Sequence, residues 1–278
     1  MKFFIENEIL KLTVSSHGGE MYDLRQKAAP DAPLLWDGDP AFWSYRAPIL
    51  FPWCSKIEDG WYQTNGKRYE AKRQHGFIRN SEFVLEDQET DRVVLRLNVL
   101  EEDCWPWPFS FTVCYKLTGN VVETICTAIN CGKLPMPVQL GFHTALRWPF
   151  TKGKAMEDYF LRFEQPEAPG GKEILPLYRC IFEKNRPWPA PDLKSRWVQL
   201  EERGTGNYLR IDTEGFSYLL LWSAKGAPDF LCIEPWTGNG GPGHDLAARP
   251  GAILLQPGET FTKTQRLTVE IDGEESNG

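Results

Sequence analysis

The 278-residue chain is short of the features that mark several large functional classes. Basic residues are outnumbered, 31 Lys and Arg against 38 Asp and Glu. The formal net charge of -7 argues against nucleic acid or an anionic membrane as the main partner. No run approaches the roughly 20 apolar residues of a membrane span. Glu6 and Glu8 break the opening segment early, so no signal peptide is read there and the cytoplasm is the expected compartment. The seven cysteines are odd in number and scattered, without a CxxC pair or zinc-like His/Cys spacing, so reduced thiols and no metal are expected. Cys54, Cys114, Cys126 and Cys232 lie in apolar surroundings and are expected in the core. Long helical patterns are absent too, in keeping with 21 prolines and 24 glycines. At most, residues 191–195 are expected to form one helical turn.

What the chain has is alternation. Val93, Leu95, Leu97 and Val99 alternate with Val94, Arg96 and Asn98, and Phe109, Phe111, Val113, Tyr115 and Leu117 with Ser110, Thr112, Cys114 and Lys116. This period of two predicts half-buried strands. Further strands are predicted over 10–15, 83–86, 121–130, 159–164, 196–201, 208–212, 218–223 and 262–271. Turn residues separate them, including the Asn65-Gly66 hairpin signal and Thr118-Gly119-Asn120. Many strands with few helices predict sheets packed face to face, an all-β antiparallel sandwich. Residues 170–191 read as a long surface loop rather than a linker, so residues 1–278 are expected to form one domain.

The run Phe230-Leu231-Cys232-Ile233-Glu234-Pro235-Trp236 sets a carboxylate at the expected end of a buried strand, beside an aromatic ring and ahead of a Gly-rich loop. Such a carboxylate suits a general base in a sugar site, and equally a solvated strand end. Of the four histidines, His75 and His143 sit close to glycine and phenylalanine, in tight settings that suit a structural residue or a catalytic one. His17 and His244 read as turn and loop residues.

Taken in order, four blocks resemble the aldose 1-epimerase (galactose mutarotase) family, in its shorter branch that also looks like hexose-6-phosphate epimerases. They are Arg46-Ala47-Pro48-Ile49-Leu50-Phe51-Pro52, His75-Gly76-Phe77-Ile78-Arg79, Gly141-Phe142-His143 and Cys232-Ile233-Glu234-Pro235-Trp236. Arg249-Pro250-Gly251 and Pro257-Gly258-Glu259 complete the pattern. The resemblance implies a galactose mutarotase-like supersandwich with a sugar cleft, no cofactor, and a small-molecule sugar as partner. It implies Glu234 as the base on the anomeric hydroxyl, His143 as the acid on the ring oxygen, and His75 as a second histidine near that oxygen. The pairing makes chemical sense, because ring opening needs a base on O1 and an acid on O5 at once. The three side chains are expected to converge, with Glu234 and His143 on the order of 5–8 Å apart.

This chain departs from the family at three places. Lys56 stands where the family often has arginine, keeping the charge without the planar fork. Asn185 stands for an aspartate, and Thr144 for a proline after His143. Arg46 and Arg79 have two readings, contact with sugar hydroxyls or phosphate, or bracing of their own turns. Trp236 likewise reads as a stacking platform for a pyranose or as core. An aldose 1-epimerase acting on a free hexose is expected. The alternatives are a hexose-6-phosphate 1-epimerase, which needs Arg46, Lys56, Arg79 and Arg147 to gather, and a non-catalytic sugar-binding sandwich. The sequence does not fix the oligomeric state.

Overall fold

A computed structural model describes the chain except for residues 72, 102–104, 179–180, 183–187, 192, 227 and 273–278, and gives only the backbone path of Trp188–Pro191. Two antiparallel sheets dominate. The larger has nine strands, in the order Ile174–Pro176, Tyr159–Phe163, Trp197–Glu202, Tyr208–Asp212, Thr260–Glu270, Val121–Asn130, Phe109–Thr118, Arg92–Val99 and Val84–Gln88. The smaller has Trp188–Pro191, Tyr218–Trp222, Phe230–Trp236, Gly141–Phe142 and Ile49–Leu50 in order, with Thr144–Arg147 also paired to Phe230–Trp236. A three-stranded sheet of Lys2–Glu6, Leu10–Ser15 and Met21–Gln26 and two hairpin-sized pairs complete the fold. This is the antiparallel all-β sandwich that alternation predicts.

Period-two alternation decides which side chains fill the space between the sheets. From the large sheet come Val93, Leu95, Phe109, Phe111, Val113, Tyr115, Leu209, Ile211, Leu267 and Val269. The small sheet contributes Ile49, Phe142, Leu146, Leu219, Leu221, Leu231 and Ile233 to the same cluster. Residues on the opposite face of the small sheet form two separate groups. One joins Phe230 and Cys232 to Trp36, Ala145, Trp43 and Trp222; the other joins Trp236 to Leu50, Cys54, Leu220 and Tyr218. Glu234 lies on this face, between Cys232 and Trp236.

Several boundaries differ from expectation. The strand carrying Glu234 runs through Pro235 to Trp236, so the carboxylate sits inside a fully buried strand and not at its mouth. Pro235 is tolerated within the sheet, in register with Leu219. No helical turn forms over the described part of 191–195; helical structure among the described residues is limited to 3-10 turns at Glu58–Gly60, Ile78–Asn80, Met156–Asp158 and Leu246–Ala248. Asn65 and Gly66, with φ of 50° and 74°, make the expected hairpin between Trp61–Thr64 and Lys67–Glu70. Five described cysteines are free, but Cys114 is only half-buried, because alternation turns it to the outer side of the large sheet, and Cys131 is exposed. No helix among the described residues is long and apolar enough to cross a membrane.

Candidate active site

Register brings His143 and Glu234 together. Gly141 pairs with Trp236, and Thr144 with Ile233, so one antiparallel register runs across the break between the two short strands. That register sets His143 directly opposite Glu234. On its other flank Glu234 faces Leu220. His143 is fixed along its backbone by an N–H donated to the Pro48 carbonyl at 3.2 Å. Gly141 is small for a reason: a Cβ there would lie 2.5 Å from Cδ1 of Trp236 and 2.9 Å from Sγ of Cys54.

His143 Nε2 lies 3.2 Å from Glu234 Oε2, shorter than the expected 5–8 Å, because the residues are cross-strand neighbours in direct contact. Both are buried, at 7% and 2% exposure. Burial pushes the Glu234 carboxyl well above its ordinary range. It also pushes the His143 imidazole well below its own, with nearby His75 and Arg79 adding to the effect. Each shift opposes a net charge in a dry site, so the pair is most stable holding one proton between two groups.

His75 comes from a strained turn. Its φ is 66° and that of Gly76 is 70°, both left-handed. Only glycine fits the second position, since a Cβ there would sit 1.9 Å from the Phe51 carbonyl oxygen. The Ser55 backbone N–H donates to His75 Nδ1 at 3.0 Å, and the His75 N–H donates to the Ser55 carbonyl at 2.8 Å. An Nδ1 that accepts leaves the proton on Nε2, so His75 is a neutral donor. Burial first, then Arg79 and Lys56, lower its pKa to about 3. Its ring centroid is 5.7 Å from that of His143 and 5.3 Å from that of Trp236.

Aromatic rings close the cluster. Trp43, on the loop before Ile49–Leu50, stacks on His143 with centroids 4.7 Å apart and planes inclined by 30°. Trp222 meets the same imidazole edge-on at 5.6 Å. His143 Nδ1 is buried without a hydrogen-bond partner.

The remaining candidates divide. Arg79 is buried, with its guanidinium carbon 4.6 Å from the centre of the Tyr45 ring and Nε unpartnered, close enough to His75 and His143 to act on both. Lys56 is exposed, on the turn that carries Ser55, and its charge reaches His75. Trp236 is a buried wall against Gly141 and His75, only 3% exposed, which fits core packing better than an open platform. Arg46 points elsewhere: its guanidinium donates to the Asp37 carbonyl and lies 3.6 Å over Tyr22. Arg147 pairs with Asp229 at 3.4 Å. Asn185 lies outside the described residues. Thr144 faces the core and donates to Gln265 Oε1 at 3.0 Å. His17 faces Glu82, and His244 stacks on Trp61, so neither joins the cluster.

Sequence reasoning missed Trp43, Trp222, Leu220 and the role of Arg249. Leu220 and Trp222 were reachable by alternation along their strand; nothing local singles out Trp43. Arg249 is buried and donates to the carbonyls of Cys54, at 2.6 Å, and Lys56, at 3.2 Å, pinning the turn that carries Ser55. Among the described residues, His143, Cys232 and Glu234 could also hold a metal, with one ligand atom from each within 4.8 Å of the others. Nδ1 of His143, however, lacks the acceptor that orients most metal-bound imidazoles. A surface hollow of about 890 Å³ lies elsewhere, lined by residues such as Glu6, Lys11, Arg25 and Thr90 and by none of the Glu234 cluster.

The buried Glu–His pair lies on one face of a large antiparallel sandwich, and the chain belongs to the aldose 1-epimerase family, whose profile matches residues 1–193. That span includes His75 and His143 and stops before Glu234. Among curated relatives, the chromosomal Protein LacX of Lactococcus lactis subsp. lactis is 29% identical over 299 aligned positions, covering 97% of this chain and 99% of LacX. Two solved structures share the fold. A galactose mutarotase related enzyme from Lactobacillus acidophilus has a TM-score of 0.90 at 24% identity, with 99% of each chain covered. A galactose mutarotase-like protein from Lactobacillus casei has a TM-score of 0.86 at 24% identity, covering 97% of this chain and 100% of its own.

Proposed function

We propose that the protein, acting as one domain, interconverts the α and β anomers of a hexose by opening and closing the pyranose ring. The observation that carries this reading is the buried contact between His143 and Glu234, 3.2 Å apart and poised to share one proton. In the competent state Glu234 is a carboxylate and His143 an imidazolium. Glu234 takes the proton of the anomeric hydroxyl, the C1–O1 bond becomes a carbonyl, the C1–O5 bond breaks, and His143 gives its proton to O5. O1 and O5 are both bonded to C1, so two groups in contact suit two atoms that close. Rotation about C1–C2 presents the other carbonyl face. Closure then runs the same transfers backwards. The pair ends with the single proton it began with, and no exchange with solvent is required. His75 offers its Nε2–H to the sugar near the ring oxygen. Lys56 at the rim and Arg79 beneath bind hydroxyls.

A free hexose is the better-supported substrate class. Arg46 and Arg147 are engaged with Asp37 and Asp229, so two of the four cations a phosphate site would draw on are held elsewhere. Polarimetry of freshly dissolved hexoses and hexose 6-phosphates, with and without protein, tests the reading. Faster mutarotation of a free sugar is expected. Glu234→Gln should slow it at least about 100-fold with the circular dichroism spectrum unchanged. Binding without acceleration across the whole panel would instead mark a sugar-binding module.

A further inference from the structure

Catalytic histidines are usually oriented by a hydrogen bond at the nitrogen remote from the chemistry. His143 lacks one. Its Nε2 meets Glu234, while Nδ1 is buried without a partner. The residue's own backbone carbonyl favours the charged ring, but it does not meet hydrogen-bond geometry with Nδ1. Something else must fix the plane of the imidazole, because rotation about the Cβ–Cγ bond would swing Nε2 away from Glu234.

Among the described residues, the one ring lying face-on against the imidazole is that of Trp43, at 4.7 Å and 30°. Trp222 and His75 touch only its edges, at interplanar angles of 81° and 87°. Trp43 is itself held on several sides. Its carbonyl accepts the Trp36 indole N–H at 2.8 Å, and its N–H donates to the Asp39 carbonyl at 2.9 Å. Its ring stacks on Phe230 at 5.7 Å and meets Trp222 edge-on at 5.5 Å. Such a network belongs to a fixed surface, although Trp43 sits on a loop and is half-buried.

We propose that Trp43 is the positioning residue of the His143 imidazole, its indole face standing in for the missing hydrogen bond at Nδ1. The face also suits the charge that catalysis demands, since an indole attracts an imidazolium through its ring quadrupole. Two roles then coincide in one side chain: it sets the ring plane and keeps the ring dry. They separate by substitution. Phenylalanine keeps a flat apolar face. Leucine keeps the site dry without a face. Alanine gives up both.

The kinetic arm rests on the proposed mutarotase activity. Trp43→Phe should keep kcat within about threefold. Trp43→Leu should lose about 10- to 100-fold in kcat with little change in KM, because the imidazole is misaimed. Trp43→Ala should lose as much and also narrow the pH–rate profile. Water reaching the pair eases a net charge of either sign, on a site otherwise framed by Glu234 and Cys232 from one strand and by His75 and Arg79 from the turn after Gln74. Full kcat in Trp43→Leu or Trp43→Ala overturns the proposal. The second arm needs no activity. In the wild-type protein the His143 ring protons should show an upfield ring-current shift by NMR, assigned by its loss in His143→Asn. That shift should shrink in Trp43→Phe and vanish in Trp43→Leu. Unshifted His143 protons in the wild type would refute the stacking even if no sugar is turned over, whereas shifted protons without mutarotation would refute only the activity.

Discussion

At the scale of single residues, the site is governed by desolvation. Glu234 and His143 are shifted in opposite directions by burial, and the shifts protect the same protonation state, one proton on the pair. Adding a second proton charges the site positively, so the acid limb of kcat should fall below the ordinary imidazole value of 6.5. Removing the last proton charges it negatively, so the alkaline limb should lie far above the ordinary carboxyl value of 4.5. A broad plateau through neutral pH is expected from polarimetric rates. A narrow bell with its limbs at those two ordinary values would contradict it. His75 gives a stability test. Its folded pKa of about 3 lies below the ordinary 6.5, so neutral His75 stabilises the fold above pH 6.5 and that contribution is lost as pH falls toward 3. At pH 4.5 the loss is roughly 2–3 kcal/mol. His143 shifts in the same direction, so the contribution must be isolated by mutation. In His75→Asn an amide oxygen can still accept from Ser55, and asparagine tolerates the left-handed φ. The drop in urea midpoint between pH 7 and pH 4.5 should therefore be smaller in His75→Asn than in the wild type.

At the scale of elements, strands were legible and their relations were not. Alternation located Arg92–Val99, Phe109–Thr118, Val121–Asn130 and Tyr208–Asp212 to within a residue or so, because one face of each is apolar. The strands Lys2–Glu6 and Met21–Gln26 escaped notice, since glutamate, aspartate and arginine blur their pattern. Family blocks pointed to Glu234, His143 and His75. That Glu234 stands opposite His143 depends on register, which is a property of two strands and cannot be read from either. The contact of Trp43 with His143 joins residues 100 positions apart, and the clamp by Arg249 reaches back to Cys54 and Lys56 in the same way. The clamp yields a prediction. Arg249 is the donor to two carbonyls on the turn whose Ser55 N–H sets the His75 tautomer. Arg249→Met fills a similar volume but leaves those carbonyls without it, at a cost of roughly 2–5 kcal/mol. Thermal melts should show the loss. Among molecules still folded, KM for the best sugar should rise more than kcat falls, because the turn also carries Lys56.

At the scale of the whole molecule, the order of strands in space matters more than their order in the chain. The last strand, Thr260–Glu270, lies in the middle of the nine-stranded sheet, between Val121–Asn130 and Tyr208–Asp212. Every proposed site residue precedes it, and the family profile ends at residue 193. A chain cut before Thr260 would thus contain the whole proposed set. It would also split the large sheet into two halves, expose two long edges, and uncover the core residues that Leu267 and Val269 cover. A fragment of residues 1–193 fares worse, since Tyr159–Phe163 then loses Trp197–Glu202 as well. We therefore expect the 1–259 chain to be insoluble or to lack a cooperative thermal transition, and to show no mutarotation. A chain ending at Asp272, which keeps every described strand, should melt and turn over as the 278-residue chain does. Expression of the two truncations side by side, with circular dichroism melts and polarimetry, decides it. A folded, active 1–259 chain would mean that the small sheet and its Glu–His pair stand without the large sheet behind them, and that the shared core does not hold the site.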